Sequence, residues 1–261
     1  MAVLDDTVWT IGPFLVQTRW IALFAGGLVG WALYRWVYAR FLGITPDALG
    51  DLLISTVLAY LLAWKLSPAL FDPGLLRTPA ALLMTSGGDR GGWVGGIAAA
   101  LVAWRQCRKH RLPLLAALSA ALFVVLPALA LASLLVVRYG TPTTLPWGIA
   151  VEGGQLAYHP VHLYRAAVFG AAWLLLHSRR THLPAWPPVR DAVLLVIAGW
   201  FAVSLVEPIV APVFGLSRSQ WTLLAAALAL AAVDAWHGRK TRRQAPRQEQ
   251  RPTAKQGEQA P

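Results

Sequence analysis

Residues 153–166 read GGQLAYHPVHLYRA and place His159, His162, Tyr164 and Arg165 within one short stretch. Long apolar blocks flank the stretch on both sides. Histidine is the side chain whose unperturbed pKa lies nearest neutrality, so it is the usual proton acceptor in catalysis. His159 precedes Pro160, a residue favoured at the first position of a helix. The positive end of a helix disfavours an imidazolium, so His159 is expected to be neutral, as a base or hydrogen-bond acceptor, or else to rest at headgroup level. Glu207, in VSLVEPIV, is a second candidate: an orienting carboxylate, a proton acceptor, or one half of a structural ion pair. His159 and His162 could share a helix face, but the sequence places no third ligand beside them. Neither a metal nor a cofactor is expected.

The second set of reactive groups is cationic. Sixteen of the 23 basic residues fall in three inter-block segments and the C-terminal tail: Arg35 and Arg40; Arg105, Arg108, Lys109 and Arg111; Arg179, Arg180 and Arg190; then seven beyond residue 238. That bias follows the positive-inside rule. Seven others, Arg19, Lys65, Arg77, Arg90, Arg138, Arg165 and Arg218, map to the opposite side. Charge at membrane depth costs about 2.5–3.5 kcal/mol per residue on insertion scales, so such residues snorkel, pair with an acid, or line a functional cavity. Asp72, Asp89, Glu152 and Glu207 are the few acids available there. A cationic excess near the outer headgroups is what a phospholipid phosphate requires.

These residues need a scaffold, and composition sets its class. The chain has 261 residues, 57% of them hydrophobic and 13% charged, with mean hydropathy +0.53. Soluble domains carry about 25% charged residues. Solid apolar blocks of bilayer length, without the alternation of barrel strands, imply a polytopic all-α membrane protein. Seven spans are expected, roughly at 14–38, 48–71, 92–106, 113–137, 160–178, 190–210 and 219–237. The charge bias sets the N-terminus outside and the C-terminus in the cytoplasm. The third span opens on GGDRGGWVGG, which suggests an irregular or re-entrant start. Its glycines would either let helices approach closely or leave backbone N–H groups for an anion. Residues 1–238 form one membrane domain. Residues 239–261 are polar and basic, and are expected to be a disordered tail against anionic headgroups. A net charge of +11 is accounted for by topology and does not imply nucleic acid. Most of the thirteen tryptophans, such as Trp9, Trp93 and Trp147, suit an aromatic belt. Asp5 and Asp6 replace a basic n-region, so a cleavable signal is not expected. Cys107, the single cysteine, excludes an intrachain disulfide.

The ordered motifs resemble the bacterial prolipoprotein diacylglyceryl transferase family over most of the chain. TIGPFLVQTRW is similar to that family's first span. GGDRGGWVGG is similar to its His-Gly-Gly segment, and YGTPTTLPWGI to Gly-Arg-Pro-Thr-Asp-Leu-Pro-Trp-Gly. HPVHLYRA resembles His-Pro-Ser-Gln-Leu-Tyr-Glu-Ala. VSLVEP and LSRSQW resemble parts of its last motifs. The resemblance implies a seven-span plasma-membrane enzyme. Such enzymes move a diacylglyceryl group from phosphatidylglycerol to the lipobox cysteine of a preprolipoprotein, so anionic phospholipid and signal peptide are the implied partners. Matching positions include Trp20, Gly91, Gly92, Gly140, Pro142, Trp147, His159, Pro160, Tyr164, Glu207 and Gln220.

The departures bear on chemistry. Ile21 and Ala22 stand where the family has Tyr-Gly. Arg90 stands at its histidine, and Arg165 at a glutamate. Leu129, Ala132 and Val137 fall in its polar fourth-span signature, at an arginine, an asparagine and an acid. Val203 falls at a second arginine. Two readings follow. In the first, a divergent transferase uses Arg138, Arg90 and Arg165 for the phosphate and His159 or Glu207 for the thiol proton, with Trp20, Gly91, Gly92, Gly140, Tyr164 and Gln220 lining the substrate. In the second, a catalytically silent relative binds anionic phospholipid or lipoprotein signal peptides.

Overall fold

The computed structural model describes residues 8–11, 14–85, 87–151, 156–208 and 212–249. Glu152 and the two glycines that open GGQLAYHPVHLYRA lie outside the described residues, as do Arg251 and Lys255 of the tail. Most described residues are helical. The long helices are α1 (Thr18–Leu42), α2 (Pro46–Leu66), α3 (Gly88–Lys109), α4 (Leu114–Leu135), α5 (Val161–Ser178), α6 (Trp186–Ser204) and α7 (Arg218–Glu249). Among the described residues, five segments are long and apolar enough to cross a membrane: α1, α2, α4, α6 and residues Arg218–His237 of α7. The chain is a multi-pass helical membrane protein. Seven spans were expected, and α3 and α5 are the two that fall short. They are long enough, but Arg90, Arg105, Arg108 and Lys109 dilute the hydropathy of α3, and His162, Arg165 and His177 that of α5.

Local chemistry sets the ends of the helices. Thr45 caps α2, its Oγ1 accepting from the Ala48 N–H at 3.3 Å, with Pro46 at the first helical position. α2 stops at Leu66 rather than running to 71, because Pro68 has no N–H to continue it. α3 runs as helix from Gly88 rather than as a re-entrant segment, the Gly91 N–H donating to the Gly87 carbonyl at 2.8 Å, and the expected irregularity is confined to the left-handed backbone of Gly88 (φ +55°). α5 starts at Val161, one residue after Pro160. α6 occupies Trp186–Ser204, shifted toward the N-terminus of the expected 190–210 span. α7 continues as helix to Glu249, into the stretch that composition assigns to a disordered tail. An existing helix extends without a new nucleation cost, and Arg, Lys, Gln and Ala are good helix formers.

Short strands complete the chain. β1 (Val8–Ile11) and β2 (Phe14–Gln17) pair antiparallel ahead of α1, so the first span begins at Thr18 rather than 14. β3 (Tyr139–Thr143), β4 (Ile149–Ala150) and β5 (Ala157–Pro160) form an antiparallel sheet in the order β3-β5-β4.

The chain divides into two compact units. The first comprises residues up to Arg138 together with His162–Ala192. Here α1 packs on α4 and α2 on α3, each pair through small residues. Ala22, Gly26 and Gly30 recur every four residues on α1, so they lie on one face. Added methyls at Gly26 and Gly30 would collide with the carbonyl oxygens of Ala128 and Val124, and Ala22 packs with Ala132 and Val136. Gly87, Gly91 and Gly95 repeat the device against Trp64, Ser67 and Tyr60, whereas Gly88 and Gly96 face open space. The close-approach reading therefore holds for one row of these glycines and not for the other. A π turn at Tyr34–Tyr38 interrupts α1 and turns two buried hydroxyls to partners. Tyr34 donates to the Ile44 carbonyl at 2.9 Å, and the Tyr38 hydroxyl lies 2.8 Å from His177 Nδ1. The second unit comprises residues 139–161 and the chain from Val193 onward.

Candidate functional site

The sequence-predicted residues divide between the two units. Gly140, His159, Glu207 and Gln220 belong to the second. β3 and β5 pair Tyr139 with Pro160 and Pro142 with Tyr158, and a register shift between these pairs bulges the strands beside Gly140 and His159. The Thr141 N–H donates to the Val206 carbonyl at 2.8 Å. A methyl on Gly140 would run into that same oxygen, and would sit 2.9 Å from Val161 Cγ2 and 3.1 Å from His159 Cβ. Glycine is thus required where β3 meets the chain leaving α6. Gly140, His159 and the backbone that carries Glu207 converge, although about fifty residues separate the last two. Glu207 is half-buried and lies beyond the end of α6 at Ser204, not late within a span as the apolar run suggested.

Gln220 supports the same turn from below. It is only 1% exposed. Its Oε1 accepts the Ser217 N–H at 2.8 Å while Ser217 Oγ accepts the Gln220 N–H at 3.2 Å. This reciprocal pair is a capping box at the start of α7, and the Ser-x-x-Gln spacing carries its signature. Gln220 Nε2 also donates to the Ser204 carbonyl at 3.4 Å. The geometry makes Gln220 a support for the segment between α6 and α7. The capping-box spacing was legible in LSRSQW and would have identified Ser217.

The first unit holds Arg90, Arg138 and Arg165. Trp20 lies exposed on α1, with the Arg19 guanidinium 5.6 Å from its ring centroid. Arg90 is exposed on α3, its guanidinium 5.7 Å from the Phe71 centroid. Gly91 is buried against α2, while Gly92 has only the Tyr60 hydroxyl near its vacant Cβ position, at 4.0 Å. Tyr164 and Arg165 are half-buried in the first turns of α5. Arg138 is exposed just after α4. Trp20, Arg90 and Arg165 therefore stand on three different helices. Ala132 and Val137, at positions where the resembled signature is polar, are 7% exposed, and Ala132 belongs to the apolar seam between α1 and α4. Sequence reasoning weighed His162 only as a metal ligand. It is 7% exposed, and its ring Nδ1 lies 3.1 Å from the Arg138 carbonyl.

No protein-family model matches the chain. Individual relatives do. A phosphatidylglycerol–prolipoprotein diacylglyceryl transferase of Methylocella silvestris is 34% identical over 196 residues, covering 67% of this chain and 69% of the relative. One from Cereibacter sphaeroides (strain ATCC 17029) is 34% identical over 200 residues, 65% of this chain and 67% of its own. One from Chromohalobacter salexigens is 29% identical over 183 residues, covering 66% and 67%. These matches agree with the motif order and with the apolar helices. The chain belongs to the phosphatidylglycerol–prolipoprotein diacylglyceryl transferase family.

Proposed function

We propose that the protein is a divergent diacylglyceryl transferase of the plasma membrane, with seven crossings, the N-terminus outside and the C-terminus in the cytoplasm. Its substrates are phosphatidylglycerol and the lipobox cysteine of a prolipoprotein. The reaction forms a bond from sulfur to the glyceryl carbon and breaks the bond from that carbon to the phosphate oxygen. Glycerol phosphate departs with the phosphate charge, and the thiol proton passes to a base. His159 or Glu207 takes the proton. Arg138, Arg90 and Arg165 supply positive charge for the phosphate.

The observation that supports this reading best is the convergence of Gly140, His159 and the Val206–Glu207 turn, held by the Thr141–Val206 hydrogen bond. Residues matching the family's motifs far apart in sequence meet in one small unit. In vitro, purified protein in phosphatidylglycerol vesicles should transfer diacylglyceryl to a lipobox peptide. Glu207→Gln and His159→Ala should each be tested, and the one that acts as base should lose about 10²–10⁴-fold in rate. Absence of transfer by the unsubstituted protein would contradict the reading.

One observation favours the second reading, a silent relative that binds phospholipid or signal peptide. Ala132 and Val137 fill their positions with buried apolar side chains. In that case phosphatidylglycerol raises thermal stability by mass action while no peptide is modified.

A further inference from the structure

His162 has no role in the reading above, yet it is almost fully buried and its contacts are directed at one of the proposed cations. α4 ends at Leu135, and Arg138 leaves it in extended chain. The first turn of a helix leaves its N–H groups without intrahelical acceptors. At the start of α5 the Arg138 carbonyl serves as such an acceptor: the His162 backbone N–H donates to it at 3.4 Å. The His162 ring lies on the same oxygen, with Nδ1 3.1 Å away. A carbonyl only accepts, so Nδ1 carries a proton and donates to it. Two donors from one residue thus hold the backbone of Arg138 against the first turn of α5. Arg165 lies three residues beyond His162 on that helix, and residues three apart share a face. Both arginines and His162 belong to the first unit.

We infer that His162 is a positioning residue that clamps Arg138 to the start of α5 and so sets Arg138 and Arg165 as a paired site for the phosphate of an anionic phospholipid. The inference rests on the proposed use of these arginines. It adds what holds them in place, which matters because about 1 Å of misplacement costs on the order of a hundredfold in a positioned reaction.

The test is a thermal-shift series in phosphatidylcholine nanodiscs with and without phosphatidylglycerol. The protein should melt higher with phosphatidylglycerol, and Arg138→Ala should lose most of that shift. His162→Leu keeps apolar bulk but removes the donor, and should lose more than half of the shift. His162→Asn places an amide N–H near the Nδ1 position and should restore it. A full shift in His162→Leu, with Arg138→Ala still defective, would overturn the clamp and leave the phosphate reading intact. A full shift in Arg138→Ala would overturn both. If inorganic phosphate in phosphatidylcholine discs gave the same shift as phosphatidylglycerol, the site would take a free anion and the lipid assignment would fall. His162→Ala serves if the leucine variant does not fold. If neither folds, the ring is an element of the fold and the positioning role is overturned.

Discussion

Gly140 shows how one missing side chain can hold a site together. Its Cα packs beneath the Val206 carbonyl, the oxygen that accepts the Thr141 N–H. Gly140→Ala should therefore cost about 1–3 kcal/mol through overpacking and displacement of that strand. A lower melting temperature would confirm it, and a wild-type melting temperature would refute it. Ser217 carries a smaller share. Ser217→Ala removes one arm of the capping box and should cost about 1 kcal/mol, measured as a shift in melting temperature. Some of this was legible in the sequence. His159 and Glu207 stood out because histidine and glutamate are rare in such apolar surroundings, and Gly140 because it lies in YGTPTTLPWGI, the stretch that resembles a family motif. The clamp on Arg138 was not legible, because it is made by a backbone carbonyl that no residue type announces.

The helices divide into those read correctly from hydropathy and those shaped by local exceptions. α4 was plain, since Leu114–Leu135 is apolar throughout except for Ser119 and Ser133. α3 was read in part at its start. Its glycines looked like a reason for irregular backbone, and Gly88 is left-handed, whereas Gly87, Gly91 and Gly95 form a seam against Trp64, Ser67 and Tyr60. In a bilayer such small residues let backbones approach where hydrophobic force between helices is absent. Two substitutions separate the two glycine rows. Gly91→Val should lower the melting temperature, because its Cβ would collide with Ser67 Oγ. Gly96→Ala meets nothing within 4 Å and should leave stability unchanged or raise it by about 0.5–1 kcal/mol. Equal effects of the two would contradict the seam. The strands β3 to β5 escaped the sequence reading because they are short and their pairing spans an intervening loop, so no local period marks them.

At the scale of the whole chain, apolar helices and basic loops establish a membrane protein, and relatives establish its family. The loop charges support the proposed orientation. Alkaline phosphatase fused after Glu249 should be inactive, as a cytoplasmic C-terminus requires, and an active fusion would reverse the topology. What the family name does not carry over is chemistry. The polar fourth-span signature is replaced here by the seam of Ala128 and Ala132 against α1, while arginines appear at 90, 138 and 165. The central claim is that these cations, with His159 or Glu207, still support diacylglyceryl transfer. It is tested most directly in a bacterium depleted of its own transferase. The protein should restore growth and lipid-modified lipoprotein, and Arg138→Ala should abolish that rescue. Absence of rescue by the membrane-inserted, unsubstituted protein, or rescue that Arg138→Ala leaves intact, would contradict the account.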